Sequence, residues 1–506
     1  MTDRSTTSPA REAVVGIDLG TTFSLVAWVD ATGRPTTIMN AEGDLTTPSV
    51  VFFDRSGVVV GKEAARAAEF EPERVAQFAK RDMGRVSFHR TIRDEPLPPE
   101  VIQALILKKL REDAELKIGP VRRAVVTVPA YFDEPRRKAT QDAGQLAGLE
   151  VLDILNEPTA AAISFGVQQG FVKLDGGKTQ KETVLVYDLG GGTFDVTLME
   201  IEGHRFTAIG TAGDVYLGGI DWTERIVDLV GEQFLDEYNV DPRIDESGLQ
   251  SLQTEAESAK RALTAREEAT LMFAYEGNRL RITITRSQFD EMTGDLRDRT
   301  LFTVRKVLRD ARKSWSDVSR LLLVGGSSRM PAVQESLESE SGLKVDRSLS
   351  PDEAVAHGAA VYAALLAGQK TEQIADISVR NVNSHDLGVL GLESDTGRKR
   401  RRIMIPRNTQ LPCKAKSRFK TFRDGQKSVV VNVVEGGDDS GNNSTPIGAC
   451  TVTGLPENLP AGTPVEVLFR YSGNGRITVG ATLPTLNRKA EMLIERASGL
   501  DDAAQQ

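Results

Sequence analysis

At 506 residues, 40% of them hydrophobic and 27% charged, the chain is too long for one ordinary core and has the composition of a globular protein of two or more domains. A formal net charge of −9 argues against general nucleic-acid binding, which leaves a basic footprint. The two cysteines (Cys413, Cys450) and four scattered histidines form no disulfide framework or metal pattern, no apolar run is long enough for a membrane span, and polar Met1 to Glu12 reads as a disordered tail, not a secretory signal. A cytoplasmic protein without nucleic-acid or membrane partners is therefore expected.

In chain order, Val14-Val15-Gly16-Ile17 reads as a buried strand and Ser24 to Val29 as its hairpin partner, with Asp18-Leu19-Gly20-Thr21-Thr22 between them. Ala124 to Val128 is a further strand, after which Ala139, Ala143, Leu146 and Ala147 share one helical face. Val184 to Tyr187 runs into Asp188-Leu189-Gly190-Gly191-Gly192-Thr193 and a strand from Asp195 to Met199. Leu252, Ala256, Ala259 and Leu263 share a second helical face. Leu321 to Val324 ends in Gly325-Gly326-Ser327-Ser328-Arg329 before another helix. Ser350-Pro351-Asp352-Glu353 fits a capping box with proline at the first helical position, which accounts for Asp352 without a ligand. Such alternation from Ala13 to about Gly368 predicts an α/β architecture.

After about Thr371 strands dominate: Val429 to Val434, Val465 to Tyr471 and Arg476 to Thr482. Val465, Val467 and Phe469 alternate with Glu466 and Arg470, as in a half-buried antiparallel strand. A boundary near 370–380 follows, with a β-sandwich-like domain beyond it. The basic run Arg398-Lys399-Arg400-Arg401-Arg402 reads as a solvated hairpin tip, with binding of acidic partners as the alternative.

The two Asp-Leu-Gly segments are an internal echo: apolar strand, Asp, Leu, glycine turn, hydroxyl, second strand. Phosphate oxygens need converging N–H donors, and a glycine turn lets backbone amides approach without a Cβ in the way. A carboxylate at the strand end can hold Mg²⁺ directly or through water. Two such hairpins facing each other would clamp a polyphosphate and its metal. Either copy alone also fits an ordinary Asp-Gly turn; neither fits G-x-x-x-x-G-K-S/T or G-x-G-x-x-G.

Together with Val324 to Pro331, these segments resemble the ATPase core shared by actin, sugar kinases and the seventy-kilodalton heat-shock (DnaK-type) chaperones. Val126-Thr127-Val128-Pro129-Ala130-Tyr131-Phe132, Asn156-Glu157-Pro158-Thr159-Ala160-Ala161-Ala162, Ala212-Gly213-Asp214 with Leu217-Gly218-Gly219, and Ala259-Lys260-Arg261-Ala262-Leu263 single out the chaperones. The resemblance implies a tail (1–12), an α/β actin-like two-lobed ATPase domain (13–370), a linker (371–383), an all-β peptide-binding sandwich (384–500) and a final tail (501–506). It implies ATP or ADP with Mg²⁺ near Asp18 and Asp188, held through water. Gly20, Thr21, Thr22, Gly190, Gly191, Gly192 and Thr193 would lie on the phosphates. Lys80 would reach the γ-phosphate and Glu157 would position the attacking water. Glu257, Lys260, Arg261 and Thr264 would flank the adenosine from one side, and Gly325, Gly326, Ser327 and Arg329 from the other, with Asp352 close by. Pro129 and Arg137 match a pair that relays nucleotide state between domains. Leu392 and Phe422 match an arch over a bound peptide, Phe419 the pocket floor and Val429 the pocket itself. By pattern alone, the four helical residues also fit a solvated face, Val429 and Phe419 a sandwich core, and Phe422 an exposed turn.

Some positions depart from the family. The linker Ile377-Ser378-Val379-Arg380-Asn381 holds only two apolar residues. Asp153 stands where the family has a basic residue that meets the J-domain partner, and Asn381 replaces an aspartate, so docking of a J-domain co-chaperone is in question; a nucleotide exchange factor is the other partner the resemblance implies. The stretch between Gly84 and Val121 is short, and the chain stops after Leu500 where the family continues into a helical lid; a lidless form is expected. The expected function is an ATP-hydrolysing chaperone for extended apolar segments of unfolded clients. The alternative is a nucleotide-gated adaptor or exchange partner that hydrolyses little.

Overall fold

The computed structural model describes residues 13–171, 180–369, 377–393, 396–473 and 475–494. The two expected tails, residue 370 and the first part of the linker (371–376) lie outside them.

Two mixed sheets dominate the first 380 residues, and they share one wiring. In the first, Ala13–Asp18 pairs antiparallel with Phe23–Val29, which carries Pro35–Ile38; on its other side it pairs parallel with Val121–Val128, followed by Glu150–Asn156. In the second, Glu182–Leu189 pairs antiparallel with Phe194–Glu202, which carries Arg205–Asp214, and parallel with Arg320–Val324, followed by Val345–Asp346. The echo seen in the motifs therefore extends to whole sheets. Their central strands are buried apolar runs, as strands covered on both faces must be.

One helix from each half joins the sheets. Ala354–Leu366 packs on the first and Glu157–Gln168 on the second, and the two helices pack on each other. Small residues make this contact possible. A Cβ on Gly358 would stand 1.7 Å from the Ala160 carbonyl oxygen, and one on Gly16 would stand 2.1 Å from the Ala360 nitrogen. Beyond the second sheet, Gly219–Tyr238 and Glu246–Ala265 enclose a core around Trp222, Phe234 and Phe273 with the hairpin Glu268–Tyr275/Asn278–Thr285. Leu252, Ala256, Ala259 and Leu263 are all buried there, as their spacing predicts.

Three local expectations change. The helix expected from Ser350 starts at Ala354, because residues 351–353 form turns and Glu353 turns its carboxylate to the Thr37 hydroxyl at 2.7 Å. Leu146 is 39% exposed near the end of helix Glu134–Leu146, although Ala139, Ala143 and Ala147 are buried. The basic run is no hairpin tip: it belongs mostly to the strand Lys399–Ile405.

The C-terminal part is two four-stranded antiparallel sheets. Lys399–Ile405, Leu387–Leu392, Val429–Gly436 and Ser444–Val452 form one; Cys413–Lys420, Pro464–Tyr471, Ile477–Leu483 and Arg488–Ile494 form the other. Val429, Val431 and Val433 meet Val465, Val467 and Phe469 in their shared core. Before it, Ser378–Arg380 pairs parallel with Arg205–Asp214, so the expected linker extends the second sheet. Ile377 and Val379, its two apolar residues, pack against the core beneath.

The sandwich rests on the α/β part through buried and half-buried polar contacts. The Glu134 N–H donates to Glu435 Oε2 at 2.9 Å and the Tyr471 hydroxyl donates to Glu134 Oε1 at 2.9 Å. His385 Nε2 lies 3.0 Å from the Tyr131 carbonyl oxygen, and the Thr211 N–H donates to Asn408 Oδ1.

Candidate functional site

The two glycine hairpins meet face to face. A Cβ on Gly191 would stand 2.4 Å from Thr22 Oγ1, and one on Gly192 would stand 2.4 Å from Thr21 Cγ2. Only glycines allow the second loop to sit against the threonines of the first. The Gly190 and Gly191 carbonyls accept from the Gly219 and Ile220 amides, fixing the loop on the start of helix Gly219–Tyr238.

Around this junction is a cavity of about 430 Å³, large enough for a nucleotide. Every phosphate and adenosine residue expected from the sequence lines it except Gly192, whose carbonyl instead accepts from Arg81 Nε at 2.9 Å. Asp352, accounted for above by capping alone, lines it too and pairs with Arg329 at 2.6 Å.

Lys80 and Glu157 form a buried ion pair of 2.6 Å inside the cavity. Lys80 comes from a short 3-10 turn, Ala79–Asp82, and Glu157 from the first turn of its helix, where the dipole favours a carboxylate. Burial, then Glu157, push Asp18 up to about 7, while the Thr127 hydroxyl donates to it at 3.2 Å. The same two causes hold Asp188 well above the ordinary carboxylate range and push Asp195 up to about 8. So many buried carboxyls around one ammonium leave the site short of positive charge, which fits a divalent cation. Among the described residues no group of three or more His, Cys, Asp or Glu makes a ready cage.

Asp195 was not foreseen. It is the Asp two places after Thr193, and its carboxylate accepts from the Tyr131 N–H at 2.9 Å. Phe23 was missed as well; it follows Thr22 directly, lines the cavity and lies 5.2 Å under the Arg261 guanidinium. Lys260 donates to the Gly219 carbonyl at 2.8 Å and pairs with Glu257 at 2.6 Å. Burial opposes the ionised Glu257, but Lys260 and Arg261 outweigh it and hold that carboxyl below its usual range.

Pro129 is buried at the start of the segment that touches the sandwich, and Arg137 donates to the Asn156 side chain and the Phe132 carbonyl. In the sandwich, Leu392 and Phe422 are each 52% exposed, Phe419 packs partly buried on the core, and Val429 belongs to the core itself.

The family model described as Hsp70 protein matches residues 14–96 and 86–506. The chain belongs to the Hsp70 family. It is 40% identical over 484 residues to the chaperone protein DnaK of Thermotoga neapolitana and to that of Thermotoga maritima, matching 93% of this chain and 78% of each relative. The DnaK of Thermosipho africanus is 40% identical over 483 residues. This Hsp70 is an ATP-dependent chaperone and ATP hydrolase that uses ATP or ADP with Mg²⁺ and binds unfolded clients. A nucleotide-gated adaptor is not favoured. No helix among the described residues is long and apolar enough to cross a membrane.

Proposed function

We propose that residues 13–370 form an actin-like, two-lobed domain closing on ATP, that 371–383 link it to a peptide-binding sandwich at 384–500, and that the Lys80–Glu157 pair is its hydrolytic switch. The observation that carries this reading is that pair, buried in one cavity with both glycine hairpins. Thr21, Thr22, Thr193 and the Gly20, Gly190 and Gly191 amides bind phosphate oxygens. Asp18 and Asp188 would hold Mg²⁺, through water, and it would supply positive charge to the phosphates there. Lys80 leaves Glu157 for the γ-phosphate, and Glu157 orients the attacking water. A loose transition state needs position and charge, not a covalent intermediate.

Segment 129–137 carries nucleotide state to the sandwich, a role supported by its contacts with His385, Glu435 and Tyr471. Leu392 and Phe422 bridge an extended client above Phe419 and Val429. A J-domain partner would meet Asp153, which accepts from the Tyr362 hydroxyl at 3.2 Å, next to a linker whose Asn381 accepts from Thr159. A nucleotide exchange factor completes the cycle, and ATP supply puts the work in the cytoplasm. Single-turnover hydrolysis with and without a Leu-rich peptide tests the whole. ATP turnover that peptide accelerates is expected; bound ATP left unhydrolysed under both conditions would refute the switch.

A further inference from the structure

The basic run lies on the edge strand of one sandwich sheet, and the edge strand of the other sheet, Cys413–Lys420, approaches it. The Arg402 guanidinium, 5.7 Å from the centre of the Phe419 ring, ties the two edges together. Exposed cations line both edges: Lys399 on the outer face of one strand with Arg402 turned toward the gap between the sheets, and Lys414, Lys416, Arg418 and Lys420 on the outer face of the other. Between Leu387 and Val430 there are twelve Lys or Arg and only three Asp or Glu, in a chain of net charge −9.

The protein's own carboxylates answer few of these charges. Arg400 pairs with Glu393, and Lys416 and Arg418 share Glu466 at 2.7 and 3.2 Å. Lys399, Arg402, Lys414 and Lys420 have no carboxylate within ion-pair distance among the described residues. Exposed apolar groups are interleaved with them: Leu392 pairs with Lys399 across the strands, Ile403 follows Arg402, and Phe422 lies two residues past Lys420. Like charges around an apolar patch repel one another, and that repulsion is relieved by a ligand of opposite charge at its flanks.

We propose that this face selects client segments in which an extended apolar stretch is flanked by Asp or Glu. The proposal rests on the peptide-binding reading above and adds the charge of the substrate. The apolar core of such a segment covers Leu392, Ile403 and Phe422 while its flanks reach the cations. Rim charges of this kind act mainly on encounter rate and on choice of partner. A single-stranded nucleic acid fits less well, because stacking needs open aromatic faces and Phe419 is half-buried beneath Arg402, leaving only Phe422.

The test uses the full chain with ADP and three labelled peptides sharing one Leu-rich core, flanked by Asp/Glu, by Ser or by Lys/Arg. Anisotropy titrations at low and high salt should show the acidic peptide binding about ten-fold more tightly than the basic one, with the gap shrinking as salt screens it. The exposed double substitution Lys399→Ser with Lys420→Ser should narrow the gap to about three-fold or less, with an unchanged thermal midpoint as the check on folding. Equal affinities, or a preference for basic flanks, would overturn the charge preference and leave peptide binding standing. Failure of all three peptides to bind would overturn the peptide-binding reading itself. Binding of an oligouridylate more tightly than the acidic peptide would also overturn the proposal, in favour of nucleic acid.

Discussion

Lys80 and Glu157 are 77 positions apart in the chain, yet each is the other's nearest opposite charge. Such a buried pair is poised to exchange partners, since an incoming phosphate competes for the ammonium in a site of low dielectric. Removing one charge-stabilising donor typically lowers a rate by about 10²–10³. Lys80→Ala should therefore slow single-turnover hydrolysis by about that factor, while ATP still raises the melting midpoint of the variant. Parental turnover would remove Lys80 from the mechanism. Glycines carry a second residue-scale prediction. A Cβ on Gly218 would stand 2.6 Å from Gly192 backbone atoms, which cannot rotate away as a side chain could. Gly218→Ala should cost about 1–3 kcal/mol of stability, as overpacking does, and weaken ATP binding because the phosphate loop shifts. Calorimetric unfolding and a nucleotide titration measure the two effects.

Among the elements, the strand Ser378–Arg380 has the most leverage. It is short, it sits at the edge of the second sheet beside Arg205–Asp214, and Ile377 and Val379 alone supply its apolar anchorage. A polar residue at Val379 removes half of that anchorage and buries an unpaired charge if the strand stays docked. Val379→Asp should release the strand, raise its amide exchange and uncouple peptide binding from nucleotide, with ATP affinity of the α/β part within a few-fold of the parent. Hydrogen exchange on 377–382 reports the release directly; unchanged protection there would show that the anchorage lies elsewhere. The helix pair Glu157–Gln168 and Ala354–Leu366 is the opposite kind of element. Its small residues leave no slack, so it transmits any tilt of one sheet to the other instead of absorbing it.

For the whole molecule, the docking of sandwich on α/β part should depend on pH. Burial, then the nearby Glu134, hold Glu435 well above the ordinary carboxylate range, with Asp133 adding to the rise and Arg137 opposing it. The docked state therefore takes up a proton relative to an undocked state in which Glu435 meets water. That contribution is fully present below the unperturbed value of 4.5 and is lost as pH rises from there through the raised value. His385 works the other way: burial lowers it from 6.5, the Tyr131 carbonyl and Asp133 oppose that, and Arg136 and Arg137 add to it. Its contribution to docking is present above 6.5 and fades as pH falls through its lowered value. Glu435→Gln keeps an acceptor for the Glu134 amide and removes the charge, so it should strengthen docking at neutral pH and leave only the histidine limb. Each proton linked to docking is worth about 1.4 kcal/mol per pH unit. An interdomain energy-transfer pair followed from pH 4 to 8 would show this, and an identical profile in the variant would contradict it.

Local order was legible in the sequence because its causes are local. The glycine-hydroxyl turns after Asp18 and Asp188, the alternation Val465-Val467-Phe469 and the helical face Leu252-Ala256-Ala259-Leu263 each follow from neighbours within a few residues, and family resemblance added roles for positions such as Lys80. The sequence could not reveal which charges share a cavity or an interface. Phe23 joins the cavity and Asp195 is buried close to Glu157, Lys399–Arg402 becomes part of an edge strand and not a tip, the expected linker becomes a sheet strand, and Glu134 meets Glu435 across 301 positions, each because distant elements pack together. Burial and electrostatic environment belong to the packed chain, so the raised carboxyls, the competing pH limbs and the basic face are consequences of tertiary structure alone.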